Sequence, residues 1–286
     1  MDYYQIIPLK ENIYRITSSE NVFMELLVGE EKALLIDTGY GFGDLYGAVC
    51  NITDKPLIIV NTHGHVDHTC GNFRFPQEAY LADADLDLLQ RHNTRAIREH
   101  SAVLAHHTVD YATGREFDGL PEDFDEDRYL SAGPGSTRSL EEGMVFDLGG
   151  MTLRTIATPG HTRGSMSLYY EEESRLYVGD AANIFLWLFG PDAADKETYL
   201  QTLDKIEQLC PKQLYGGHSP VPYTMEDVRM FRKAALEADY DRGIPFSTPL
   251  MPEIKDIRVC VLGNKTMADI GQPGFYAILL DQAHAR

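Results

Sequence analysis

The residues 61–68, Asn-Thr-His-Gly-His-Val-Asp-His, place three imidazoles and a carboxylate within six positions. These groups are the ligands of hydrolytic zinc, and a catalytic zinc site keeps one position open for water. Alternate residues of an extended segment point the same way, so His63 and His65 can reach one ion. Asp67 and His68 follow a turn and can face a second ion, and the glycine between the first two histidines would let backbone and metal approach closely. The segment predicts a two-metal site, since chance would produce such spacing in roughly one chain in a thousand.

Three further residues could complete this site. His161, Asp180 and His218 each follow an apolar run, at the point where a strand would end. Functional groups on loops that leave strands are held by a rigid scaffold and are open to ligand. Each residue taken singly fits a capping or surface position, but together with the first cluster they favour a shared metal site.

Alternating strand and helix patterns must position these residues. Period-2 and β-branched runs predict strands at 12–17, 22–28, 33–36, 57–60, 79–82, 144–146, 153–157, 166–170, 175–178, 213–215, 258–262 and 275–280. Helical periodicity and capping residues predict helices at 44–50, 83–92, 94–109, 196–209 and 225–240. Strand groups that alternate with helices in two halves predict an α/β fold of layered sheets with helices outside.

One stretch interrupts this alternation. Residues 93–139 combine a polar helical segment with an acidic, glycine-containing one, which is typical either of an insertion that covers one side of the core or of a solvated linker. We predict a single domain over 1–286 that carries a helical and acidic insertion at 93–139.

The motif order and spacing resemble the metallo-β-lactamase superfamily, from about Val22 to His218. This resemblance implies a four-layer αββα sandwich with the site at the sheet edge. It implies a role for each candidate residue: His63, His65 and His161 would hold the first ion; Asp67, His68 and His218 would hold the second; Asp180 would bridge them; and Asp37 in the LLIDTG segment would support the metal loop from behind. The alternative for Asp37 is a turn or helix cap.

Two bound cations would ionise a shared water near neutral pH. We predict a hydrolase that attacks a small ester, lactone or thioester with this metal-bridging hydroxide, with Asp67 and Asp180 as the catalytic carboxylates that offset part of the metal charge. The bridging Asp180 resembles glyoxalase II, lactonase and phosphodiesterase types more than the β-lactamases, although Thr69-Cys70-Gly71-Asn72 replaces the usual glycine pair of glyoxalase II. Zinc is the expected metal, with manganese or iron as alternatives.

Three other functions remain open at this stage. A phosphodiesterase of the same fold would use the same ligands. A non-haem iron oxidoreductase, of the dioxygenase or flavodiiron kind, would contain iron and consume oxygen. A non-enzymatic binding module would not require a complete two-metal ligand set.

Composition limits the partners. With 25 basic and 44 acidic residues, the chain has a net charge of −19, which disfavours nucleic acid. No apolar run approaches the roughly 20 residues that cross a bilayer, and no secretory signal opens the chain. Four scattered cysteines suit a reducing compartment. We therefore expect a cytoplasmic protein with a small-molecule substrate and no membrane or nucleic-acid partner, and leave a homo-oligomer open.

Three further features of the sequence each allow more than one interpretation. The apolar segment 183–189 contains the only tryptophan and fits either the wall of an acyl pocket or ordinary core and dimer contact. Cys70 is read as a small buried residue rather than as a metal ligand. His106 and His107 are read as surface residues.

Overall fold

The computed structural model describes residues 3–109, 113–251 and 253–285 as a chain of both helices and strands. The chain forms two compact units, Met1–Leu153 and Arg154–Arg286. The single domain over 1–286 and the insertion at 93–139 stay predictions, and residues 110–112 of that insertion lie outside the described residues.

The first unit contains a mixed sheet, helices and two short 3-10 turns. Its strands are β1 (Gln5–Lys10), β2 (Ile13–Thr17), β3 (Phe23–Val28), β4 (Ala33–Ile36), β5 (Leu57–Val60), β6 (Ala79–Leu81), β7 (Thr108–Val109), β8 (Glu116–Phe117), β9 (Thr137–Ser139) and β10 (Val145–Asp147). Its helices are α1 (Leu45–Cys50), α2 (Val66–Thr69), α3 (Leu86–His92), α4 (Arg95–Ala105) and α5 (Glu126–Ser131), and its 3-10 turns are Cys70–Arg74 and Asp83–Asp85.

The sheet of the first unit has the order β1-β2-β3-β4-β5-β6-β9. Neighbours from β1 to β4 are antiparallel, and β4, β5, β6 and β9 are parallel. Strand β4 is buried along its whole length, as expected for a parallel strand covered on both faces. Because Ile36 pairs with Val60, the residues that follow β4 and β5 leave the sheet side by side at one edge.

Two apolar clusters support this sheet edge. One lies between the sheet and α1, whose first turn is capped by the Asp44 side chain. The other contains Phe42, Val66 and Tyr129, and it joins α2, α4 and α5. The short helix α2 is thus fixed by packing rather than by its own four residues, which would be too few to form a stable helix alone.

The second unit contains two sets of strands and two long helices. Its strands are β11 (Thr152–Ala157), which begins at the end of the first unit, β12 (Met166–Tyr170), β13 (Arg175–Gly179), β14 (Phe185–Leu188), β15 (Gln213–Gly216), β16 (Ile244–Phe246), β17 (Ile257–Val261) and β18 (Ala277–Leu280). Its helices are α6 (Lys196–Leu209) and α7 (Met225–Glu237), and its 3-10 turns are Tyr240–Arg242 and Met267–Asp269.

Strands β11, β12, β13 and β15 lie side by side in that order, and the other four form a sheet of order β14-β18-β17-β16. Strands β13 and β15 are parallel, with Gly179 opposite Gly216 across an irregular register. Apolar residues of both sets, α6 and α7 form one buried cluster that includes Leu176, Leu203 and Phe231. Since β13 and β15 are parallel neighbours, the residues after them leave the sheet at the same edge.

Most of the predicted elements are confirmed. The boundaries of β4, β5, β12 and α6 agree with the predicted ranges, and β17 and β18 form the predicted hairpin pairing. The prediction missed β1, α5, β9, β14 and β16, together with the short hairpin of β7 and β8. Strand β1 is exposed along nearly its whole length, so its sequence carries no pattern of alternating burial.

None of the helices in residues 3–109, 113–251 and 253–285 combines the length and the apolar character that crossing a bilayer requires.

Candidate functional site

The loop that follows β5 holds four of the candidate ligands. Residue His65 is extended and stands directly before α2, and Asp67 and His68 lie within this helix. All three imidazoles of the loop are buried, and the Asp67 side chain is 17% exposed. Because the loop leaves a parallel strand and then packs as a helical turn, its polar side chains gather at the sheet edge.

The donor atoms of this loop are spaced as ligands of shared ions would be. Nε2 of His63 lies 3.1 Å from Nδ1 of His65, and Nε2 of His68 lies 3.5 Å from Oδ2 of Asp67. Two ligand atoms at about 2.0–2.1 Å from one tetrahedral zinc ion are roughly 3.3 Å apart. The residues of the loop therefore fit a metal both in donor type and in spacing.

The Asp37 carboxylate orients this loop. Asp37 follows β4 with a φ of 61°, a left-handed conformation that aspartate tolerates better than most residues. Its carboxylate accepts hydrogen bonds from the Thr62 backbone N–H at 2.7 Å, from the Thr62 hydroxyl at 2.8 Å and from His68 Nδ1 at 2.8 Å. The bond to Nδ1 leaves Nε2 as the ligand atom of His68, on the side where Asp67 lies.

A buried amide network, which sequence reasoning missed, fixes the same loop. The Asn61 side chain donates to the His68 carbonyl at 3.0 Å and accepts from the Asn72 amide at 2.9 Å. The Asn72 side chain in turn accepts from the Thr38 hydroxyl at 2.9 Å. Isolated asparagines and threonines carry no motif, although Asn61 directly follows a predicted strand and could have been noted for that reason.

The glycine between the first two histidines serves packing. A Cβ at Gly64 would lie 2.8 Å from the Asp85 carbonyl oxygen and 3.1 Å from the Leu88 side chain. The Gly64 N–H donates to the Asp85 carboxylate at 2.9 Å. Gly64 therefore lets the turn before α3 pack closely against the loop, and its predicted role in letting a metal approach stays a prediction.

The candidate ligand His161 lies in a turn after β11. Its Nδ1 lies 2.9 Å from the backbone carbonyl of Trp187 in β14, so Nδ1 donates and Nε2 is the ligand atom. Gly160 precedes it, and a Cβ there would lie 2.8 Å from the Tyr199 ring. The Ala194 N–H donates to the Gly160 carbonyl at 2.8 Å, so the turn is held by backbone contacts on two sides.

Asp180 and His218 are adjacent because they follow parallel neighbours. Oδ2 of Asp180 lies 3.2 Å from Nε2 of His218 and 3.7 Å from Nε2 of His161. The Gly217 N–H donates to the Gly179 carbonyl at 2.8 Å and closes the strand pair just before the two side chains. The second unit thus gathers His161, Asp180 and His218 from three separate loops around one carboxylate.

The secondary candidates have structural roles. Cys70 is fully buried, its Sγ lies 3.5 Å from the Tyr129 hydroxyl, and burial raises the pKa of its thiol. The reading of Cys70 as a buried core residue is confirmed. His106 and His107 are exposed as predicted and pair with acidic residues of the hairpin that follows them, at 3.0 Å and 2.7 Å.

The match to a known family spans most of this chain. The model of the metallo-β-lactamase superfamily matches residues 21–83 and 84–218, a range that contains all seven candidate ligands. The chain belongs to this superfamily. The predicted α/β fold of the metallo-β-lactamase type is confirmed.

Curated relatives of this superfamily member include two proteins named as thioesterases. The acyl-coenzyme A thioesterase MBLAC2 of Gallus gallus is 26% identical over 241 residues, which cover 79% of this chain and 81% of that protein. The atrochrysone carboxyl ACP thioesterase of Aspergillus fumigatus is 33% identical over 91 residues, which cover 32% of this chain and 28% of that protein. Among solved structures, the sec-alkylsulfatase Pisa1 from Pseudomonas sp. matches with a TM-score of 0.64 and 14% identity, over 88% of this chain and 47% of that one. At this identity the sulfatase shows the fold alone.

Proposed function

We propose that this protein is a metal-dependent hydrolase of thioesters and small carboxylic esters. The proposal is supported by membership of the metallo-β-lactamase superfamily and by the relatives that are named as thioesterases. Several expectations stay predictions: a cytoplasmic location, a small-molecule substrate, and the absence of nucleic-acid and membrane partners. Whether the protein forms a homo-oligomer stays open.

Seven residues would hold the metal. We propose that His63, His65 and His161 bind one divalent ion, that Asp67, His68 and His218 bind a second, and that Asp180 bridges them. Zinc is the first choice because the donor set is imidazole and carboxylate, with manganese and iron as alternatives. Bound metal would supply a water of lowered pKa and a Lewis acid for the developing negative charge on the carbonyl oxygen.

The protein's own groups hold the ligands in position. Asp37 holds the proton on His68 Nδ1, and the Trp187 carbonyl holds the proton on His161 Nδ1, so both imidazoles present Nε2. Asp67 and Asp180 contribute negative charge that offsets part of the charge of two cations. Cys70, the cysteine nearest the metal loop in sequence, is buried with a raised pKa, so the proposal includes no cysteine nucleophile.

A single observation carries this proposal. Three buried imidazoles and a carboxylate lie in one short loop, with ligand nitrogens of His63 and His65 3.1 Å apart and His68 held by a buried carboxylate. Burying so many polar donors at a sheet edge is costly unless a metal or hydrogen bonds compensate.

The test combines metal analysis with hydrolysis. Purified protein, stripped with chelator and reloaded with zinc, manganese or iron, is assayed with acetyl and octanoyl thioesters by thiol release. We expect about two ions per chain, with activity lost on stripping and recovered on reloading. His65→Ala and Asp180→Ala should lower kcat/KM at least 1,000-fold, roughly 4 kcal/mol in transition-state stabilisation, with circular dichroism unchanged. His106→Ala, a matched histidine on the exposed surface, should retain wild-type activity.

Four results would contradict the proposal. Full activity in the stripped protein would exclude metal catalysis. Cleavage of bis(p-nitrophenyl) phosphate without thioester cleavage would assign a phosphodiesterase. Iron with oxygen uptake and no hydrolysis would assign an oxidoreductase. Tight metal binding without turnover of any substrate would favour a binding module.

A further inference from the structure

Strand β14, which sequence analysis left unassigned, has two chemically distinct faces. Its burial alternates along the strand: Phe185 and Trp187 are half-buried, whereas Leu186 and Leu188 are fully buried. Because successive side chains of a strand point to opposite faces, the two aromatic residues share one face. Leu186 and Leu188 belong to the main apolar cluster of the second unit, so the aromatic side is the outer one.

On that side five rings form a continuous aromatic face, which consists of Phe185, Trp187, Phe189, Phe246 and Phe275. Ring centroids of Trp187 lie 5.2 Å from Phe189 and 6.4 Å from Phe246, and those of Phe185 lie 5.9 Å from Phe246 and 6.3 Å from Phe275. Phe189 and Phe275 are buried and form the base. Phe246 is half-buried, like Phe185 and Trp187, so three rings present part of their surface outward.

One residue of the aromatic face, Trp187, is hydrogen-bonded through its backbone to a candidate metal ligand. β14 is the edge strand of its sheet, and at its paired edge Trp187 lies opposite Leu279 of β18. The carbonyl of the same Trp187 accepts the hydrogen bond from His161 Nδ1 at 2.9 Å. One residue therefore both orients His161 through its backbone and contributes a half-exposed indole to the face.

We propose that the aromatic face binds the acyl chain of the substrate, and that this contact makes the protein prefer longer acyl groups to acetyl. The inference rests on the proposed hydrolase function, because the occupant is the part of the substrate that leads away from the carbonyl carbon. None of the five rings carries a charge, so an uncharged alkyl chain gains from burial against them while a polar group does not. The strand that carries this face also orients the candidate ligand His161 through the Trp187 carbonyl, and this shared strand is the reason for assigning the face to the substrate.

The first experiment measures hydrolysis of thioesters with acyl chains of two, four, six, eight and ten carbons by zinc-loaded protein. Burial of each methylene favours the longer chain by roughly fourfold, so kcat/KM should rise steeply before it levels off. Phe246→Ala and Phe185→Ala should lower kcat/KM for the octanoyl thioester at least tenfold and change kcat/KM for the acetyl thioester less than twofold. Both substitutions keep the Trp187 backbone carbonyl that holds His161. Phe117→Ala, at a 41% exposed phenylalanine of the first unit, is the matched control and should change neither substrate.

The second experiment needs no catalysis. Trp187 is the only tryptophan of the chain, so fluorescence excited at about 295 nm, where the 16 tyrosines absorb little, reports on this face. Titration of metal-stripped protein with 1-decanol should shift the emission to shorter wavelength with saturation, 10-bromo-1-decanol should quench it, and 1-butanol should do neither at the same concentrations. Phe246→Ala should weaken decanol binding at least fivefold, while Phe117→Ala should not.

The two readouts separate the possible failures. Saturable decanol binding without hydrolysis of any thioester would overturn the proposed function and support the aromatic face as an alkyl-binding surface. Hydrolysis that is independent of chain length, together with unchanged Trp187 fluorescence, would overturn the aromatic face and leave the proposed function intact. Equal losses on acetyl and octanoyl substrates in Phe246→Ala would also overturn it, since a purely structural defect affects both.

Discussion

The two units hold their candidate ligands by different means. In the first unit four ligands lie within six residues. The buried side chains of Asp37 and Asn61 hydrogen-bond the backbone around them, and Asn72 in turn holds the Asn61 side chain. In the second unit three ligands come from three loops, and backbone groups such as the Trp187 carbonyl and the Gly179–Gly217 contact position them.

The difference reflects where backbone hydrogen bonds can be found. A compact loop that leaves the sheet has no continuous strand partner, so part of its buried N–H and C=O groups are satisfied by side chains, here those of Asp37 and Asn61. In the second unit Asp180 directly follows β13 and His218 lies two positions after β15, so the pairing of these parallel strands sets where both residues lie. The loop of the first unit should therefore be sensitive to polar substitutions, and the loops of the second unit should be sensitive to changes in backbone packing.

The largest expected effect is at Asp37. Asp37→Ala removes an acceptor from three donors, the Thr62 N–H, the Thr62 hydroxyl and His68 Nδ1, in a buried site. We expect a loss of about 4 kcal/mol in the free energy of unfolding and a fall in metal affinity of about 10- to 100-fold. Urea denaturation and competition with a chelator measure the two. Asp37→Asn keeps one acceptor and tolerates the left-handed backbone, so it should cost less; a loss below about 1 kcal/mol for Asp37→Ala would contradict the comparison.

Arg98 comes next. This fully buried guanidinium of α4 donates to the Asn93 side chain at 3.0 Å and to the Gly133 carbonyl at 2.9 Å, and Asn93 donates to Thr69 at the end of α2. Arg98→Met should lower the free energy of unfolding by about 3 kcal/mol, because several buried acceptors lose their donor. Arg95→Met, at an exposed arginine of the same helix, should stay within about 0.5 kcal/mol. Equal effects of the two substitutions in urea denaturation would refute the role of Arg98.

A packing change tests the second unit. Gly160→Ala places a Cβ 2.8 Å from the ring of Tyr199, a fully buried residue of α6. We expect a loss of about 2 kcal/mol from this overpacking, measured as the shift of the urea midpoint at constant slope. Gly133→Ala meets no atom within 4 Å and serves as the control, with an expected change within about 0.5 kcal/mol. If Gly160→Ala were as well tolerated as Gly133→Ala, backbone packing would not govern this turn.

The smallest expected effect on the free energy of unfolding is at Asp281, a carboxylate of the second unit. Burial disfavours the charged form of Asp281, but hydrogen bonds from the Gly190 N–H and from His284 outweigh it and lower the pKa of this carboxyl. A lowered pKa contributes stability above the unfolded value of 3.8, and this contribution is lost as the pH falls through the folded value. Asp281→Asn should cost about 1 kcal/mol at pH 7 and show a shallower loss of stability below pH 4. If the free energy of unfolding fell equally with pH in the wild type and in Asp281→Asn, this prediction would be contradicted.

Sequence patterns predicted much of the scaffold. The parallel strands β4 and β5 appear as short apolar runs that end in polar residues, and α6 follows from its apolar stripe. Strand β14 was not predicted, because an apolar run of this length is equally typical of a core segment, a strand or a pocket wall. The joint binding of one metal pair by all seven candidate ligands stays a prediction.

The sequence by itself determined which residue types could bind metal, where they follow strands, and which superfamily they resemble, because ligand chemistry and hydrophobic period are local properties. Only the tertiary structure decided what holds them. Arg98 crossing to the Gly133 carbonyl, Asn72 to Asn61, and a backbone carbonyl of β14 orienting His161 all join positions far apart in the chain. Such contacts satisfy buried polar groups, and no spacing in the sequence records which partner each group finds when the chain packs.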